Sequence, residues 1–142
     1  MPTIHPIKSD IAAGSVYYYN DPSLRTTYPH YCIVVNINPS KDALLLLVHA
    51  SHRISKVRNR RKNCPEETLV EISPIQYPGF DTESIIDCND VIERDIEMLG
   101  RLLAQHRLEK KPVMGLRLVR LLRKGIIASD LTTPNVKARL RA

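Results

Sequence analysis

Five short β-favouring runs, each five to seven residues long, follow one another from Ser15 to Cys88. Each is bounded by Pro, Gly, Asn or Asp, and only beyond Val91 does the apolar spacing become helical. This order constrains the fold more than any other feature. Strands first and helices after read as α+β, a β-barrel with added helices. The runs are Ser15–Asn20, Tyr31–Asn36, Ala43–His49, Thr68–Ile72 and Ser84–Cys88. Gly14 marks the turn before the first. Asn38-Pro39-Ser40-Lys41-Asp42 connects the second and third as a hairpin or meander. Pro74, Pro78 and Gly79 separate the last two. Strands this short imply a small twisted barrel or curled sheet of about five to seven strands, with helices packed on it.

The helical part opens at Val91, where Ile92, Ile96, Leu99 and Leu103 recur at helical spacing up to His106. Asp90, with Glu93 three residues on, reads as its capping box. Pro112 suits a first helical turn, and a second helix is expected over Val113–Lys124, stopped by Gly125. Thr133-Pro134 opens a last short helix over Asn135–Arg141. At 142 residues the chain fits one domain with a small appendage. We divide it into residues 1–110, the sheet with one helix, and residues 111–142, a helical extension that packs on the sheet or on a partner.

The net charge of +6 hides a segregation. Residues 1–52 are neutral, 53–62 carry +6 with no acid, 63–109 carry −8 and 110–142 carry +8. Such blocks point to a polyanion, to an acidic protein partner or to pairing between the segments. The longest apolar run, Ala43–Val48, is far too short to span a membrane, and Met1–Pro6 does not open a signal peptide. Cys32, Cys64 and Cys88 are scattered and odd in number, which argues against a disulfide framework and a structural zinc site. The expected setting is therefore cytoplasmic, with no metal or cofactor.

Several local phrases, taken in order, resemble the MazF/PemK family of toxin endoribonucleases. They are Gly14-Ser15-Val16-Tyr17, the stretch Tyr28-Pro29-His30-Tyr31-Cys32-Ile33-Val34-Val35-Asn36, Leu47-Val48-His49-Ala50-Ser51-His52, and Phe80 to Asn89 before an acidic helix. The resemblance covers about residues 10–105. It implies an SH3-like barrel, a homodimer, a small acidic antitoxin-like partner, and metal-independent cleavage of RNA by attack of a ribose 2′-OH on phosphorus. His30 stands where the family has an arginine, and Ser51 where it has a threonine. By this correspondence His30 serves as acid or base, Ser51 holds the phosphate, and Arg25 or Arg53 supplies the cation.

His30, His49, His52 and Ser51 fall on two stretches that become adjacent strands. The i, i+3 spacing of His49 and His52 puts them on opposite strand faces, a poor arrangement for a metal. Arg53, Lys56, Arg58, Arg60, Arg61 and Lys62 form a basic loop suited to RNA phosphates. Tyr17, Tyr19, Tyr28 and Tyr31 are candidates for stacking on bases. The alternative is a catalytically inactive SH3-like barrel that binds nucleic acid or a protein partner.

Overall fold

The computed structural model describes residues 10–141. The reading of Met1–Pro6 lies outside them. Seven strands and four α-helices are present: β1 (Val16–Tyr19), β2 (His30–Val34), β3 (Leu44–Ser51), α1 (Ile54–Arg60), β4 (Leu69–Ile72), β5 (Ser84–Asp87), β6 (Ile92–Asp95), α2 (Ile96–Ala104), β7 (Leu108–Lys111), α3 (Leu116–Ala128) and α4 (Pro134–Leu140). All ladders are antiparallel, in the order β4-β5-β3-β2-β1-β7, with β6 also on β3. The fold is therefore α+β, as expected. The hydrogen-bonded path is open, with β4 and β7 at its ends, and it does not close into a ring.

β3 organises the sheet. One of its edges pairs with β2 through Cys32↔His49, Ile33↔Val48 and Val34↔Leu47. Its other edge pairs first with β6 along Leu44–Leu47 and then with β5 at Ala50 and Ser51. Residue alternation along β3 feeds two cores. Leu46, Val48 and Ala50 face Val119, Leu122 and Ile126 of α3 and Val136 and Leu140 of α4. Leu45 and Leu47 face Tyr17, Tyr19, Ile96 and Leu99. A third, small cluster seats α1, with Val57 against Leu69 and Ile85.

Four helical expectations are corrected. Ile92–Asp95 is a strand, because the long apolar run of β3 would otherwise leave buried backbone groups unpaired. The cap of α2 is consequently Asp95, which accepts from the Glu97 amide, and not Asp90. α3 begins at Leu116, later than expected, because Met114 is buried in extended backbone and donates its amide to Gly14 O. α3 also runs through Gly125 to Ala128. Gly125 is a point of close approach. A Cβ there would lie 2.7 Å from the Glu67 carbonyl oxygen and 3.0 Å from Cys88 Sγ. α3 and α4 of the 111–142 segment contribute directly to the core.

Gly14 has φ +92°, in the left-handed region, and a Cβ would meet Met114 O at 2.4 Å. The hairpin turn at 38–42 is present and is stitched by Asn36. Its side-chain amide donates to Asp42 and to Leu44 O, and its oxygen accepts from the Leu46 amide. Cys32, Cys64 and Cys88 are free thiols. No helix among the described residues is long and apolar enough to cross a membrane.

Candidate nucleic-acid site

The β2–β3 register brings the sequence-predicted residues together. His30 and Cys32 share a strand face, and Cys32 lies opposite His49. Extending that register by two residues places Ser51 across from His30. The His30 and His49 rings meet edge-on with centroids 5.6 Å apart. Both Nδ1 atoms are buried without a hydrogen-bond partner among the described residues. Burial lowers the pKa of His30 below the usual histidine range, and the nearby His49 and His52 add to this; the Tyr28 backbone offsets part of it. Burial also lowers His49, against the raising effect of Asp90 and Asp87. At neutral pH both are neutral imidazoles, each with one acceptor nitrogen.

These groups open into a cavity of about 210 Å³ whose wall includes Tyr28, His30, His49, Ser51, Arg53, Lys56 and Arg60. Ser51 Oγ accepts from the Arg53 amide at 3.1 Å, which leaves its own proton to donate. The basic segment is helical, contrary to the loop expectation, because Val57 and Ile54 have an apolar seat on β4 and β5. Helical phase then sorts the bases. Arg53, Lys56 and Arg60 face the cavity. Arg58 turns away and is held by Glu66 and Glu71. Arg61 donates through Nε to Asp87 at 2.8 Å, and Arg60 lies 3.5 Å from the same carboxylate. Lys62 is exposed and outside the cavity wall. Of the bases expected to meet phosphate, Arg58 and Arg61 are thus tied into the fold, and Arg60 is shared between Asp87 and the cavity.

A second cavity, of about 170 Å³, shares Tyr28 and His30 with the first and includes His52. His52 lies just past the end of β3 and lines this second cavity, whereas His49 lines the first. The four candidate tyrosines divide. Tyr17 and Tyr19 are 2% and 1% exposed and belong to the core. Tyr28 and Tyr31 line the cavities. Arg25 is exposed, with φ +53° at the end of a 3₁₀ turn, and lines neither cavity.

Two buried carboxylates that sequence reasoning missed hold the site's frame. Asp87 accepts from Arg61, from the Asn89 amide and from Asn89 Nδ2. Burial raises its pKa, but these partners outweigh burial and hold it below the usual range. Asn89 continues the network to Thr68 and Ser129, so α1, β5 and the end of α3 are locked together. Asp21 accepts from Tyr19, Ser23 and, through both oxygens, Arg94. Burial opposes ionisation there as well, yet the hydrogen bonds hold its pKa at about 2. It anchors the loop that carries Leu24, Thr26 and Tyr28 to the cavity wall.

A larger groove, of about 740 Å³, lies elsewhere, between the β5–β6 turn and α4. Asp90 and Glu93 line it, which opposes a polyanion, and none of the cavity's histidines reaches it. Among the described residues no cluster of three or more His, Cys, Asp or Glu could hold a metal ion. No family model matches the chain, and no curated protein matches it.

Proposed function

We propose that the protein binds RNA across the end of β2 and β3 and cleaves it by 2′-OH transphosphorylation, without a metal. What supports this reading most is a single cavity wall that carries a half-buried imidazole with a lowered pKa, a hydroxyl donor and three cations. Neutral His30 takes the proton of the ribose 2′-OH. The 2′ oxygen bonds to phosphorus, and the phosphorus–O5′ bond breaks. Ser51 and the guanidinium groups of Arg53 and Arg60 hold the charge that builds on the phosphoryl oxygens. The departing O5′ takes a proton from Lys56, since a guanidinium does not release one. The products are a 2′,3′-cyclic phosphate and a free 5′-hydroxyl.

A relationship to SH3-like barrels of the MazF/PemK type is part of this proposal, as are a homodimer, a cytoplasmic setting and a small acidic partner that blocks the cavity. Arg25 has no role in it, and Arg58 and Arg61 are placed in the frame. The test is incubation of the folded protein with a long mixed-sequence RNA, with and without EDTA. Cleavage in both is expected, with about 10²-fold or more lost in His30→Ala. Intact RNA, with binding that His30→Ala leaves unchanged, would instead support a barrel that only binds.

A further inference from the structure

The second cavity lies beside the proposed cleavage site and shares its wall through Tyr28 and His30. At about 170 Å³ it has the room of five or six waters, enough for a planar heterocycle and too little for a whole nucleotide. Its walls are aromatic. Tyr18 and Tyr31 rings lie 4.6 Å apart, and the Tyr28 and His30 rings lie 5.0 Å apart with planes 32° from parallel. Tyr28 is 39% exposed, which leaves surface for a stacking partner.

Among these aromatic walls stands one carboxylate, Asp81. Its Oδ2 accepts from Tyr31 at 3.3 Å, and Oδ1 has no partner among the described residues. Tyr31 is itself held in place by Phe80, at 5.1 Å between ring centroids, so the pair is fixed from behind. An ionised carboxylate only accepts hydrogen bonds, and it has two oxygens side by side. Of the four RNA bases, only guanine presents two adjacent donors, N1–H and the N2 amino group, on its Watson–Crick edge. Adenine and cytosine each offer one amino donor next to a ring nitrogen that repels a carboxylate. Uracil offers one imide donor between two carbonyls.

We infer that this cavity is a base-specific subsite that takes guanine, stacked on Tyr28 and read by Asp81. The inference rests on the RNA-cleavage reading for its biological sense, but the subsite can be tested without cleavage.

The experiment is titration of the full chain with GMP, IMP, AMP, CMP and UMP, followed by backbone amide NMR. All five carry the same phosphate, so differences report the base. GMP is expected to bind about tenfold or more tighter than AMP, CMP and UMP, the scale of one bidentate base contact. IMP, which lacks the N2 amino group, is expected to be several-fold weaker than GMP. Shifts should fall on Tyr28, Tyr31 and Asp81–Ser84. Asp81→Asn, at an exposed turn position, should stay folded and lose the preference. Equal binding of the five nucleotides, shifts elsewhere, or a preference that survives in Asp81→Asn would overturn the subsite. GMP selectivity without RNA cleavage would uphold the subsite and reject the nuclease. Cleavage with no guanine near the cut, and no GMP preference, would do the reverse.

Discussion

His30 has an acceptor nitrogen at neutral pH because burial and the neighbouring imidazoles disfavour its charged form. Its titration, followed by ring-proton NMR, should have a midpoint below the ordinary 6.5 or so. His49→Gln removes one of the imidazoles whose protonation competes with that of His30 and should move that midpoint upward. The same shift sets a pH dependence. The base form is lost as pH falls through the His30 pKa, so activity should be level near neutrality and decline only below about pH 6.5. Stability follows the same sign. His30 and His49 are harder to protonate folded than unfolded, so acid costs stability as pH drops below about 6.5. A midpoint for His30 above the ordinary value would contradict this account of the site.

Among the elements, β3 and α1 do most to build the site, and they differ in how much of them was readable in advance. β3 was legible because its apolar run and turn at 38–42 specify a hairpin, and alternation then puts His49 and Ser51 on one face. The basic run reads as a loop because its helix depends on Val57 finding Leu69 and Ile85, partners far along the chain. Its sorting into cavity-facing and structural arginines depends on Glu66, Glu71 and Asp87, which no local pattern announces. Ile92–Asp95 has helical spacing, and only the free edge of β3 makes it a strand. Gly125 reads as a stop signal, whereas its missing side chain allows α3 to approach Glu67 and Cys88. Gly125→Ala tests this. A helix stop would tolerate alanine, and an exposed helical glycine would gain about 1 kcal/mol from it. Close packing predicts a loss of about 1–3 kcal/mol in chemical denaturation.

At the scale of the whole molecule, the segregated charge has separated into two uses. Part of the basic run is consumed internally against the acidic segment, through Arg58 and Arg61 and in part through Arg60, which pairs with Asp87. Arg53, Lys56 and Arg60 remain on the cavity wall. RNA affinity should therefore weaken steeply with salt. Neutralising Lys56 or Arg53 should reduce the slope of log K against log salt by about 0.7 per lost phosphate contact. Arg58→Gln should leave that slope unchanged while lowering stability, since its partners are carboxylates of the fold. Equal slopes for all three variants would remove the electrostatic part of the proposal. The proposed chemistry turns on the 2′-OH attack itself. Its most direct measurement uses a cleaved RNA oligonucleotide and the same sequence with one 2′-deoxy nucleotide at the cut. A 2′,3′-cyclic phosphate end is expected from the first, and no cleavage at that position in the second. Cleavage of the 2′-deoxy strand, or an RNA left intact by the folded protein, would contradict it.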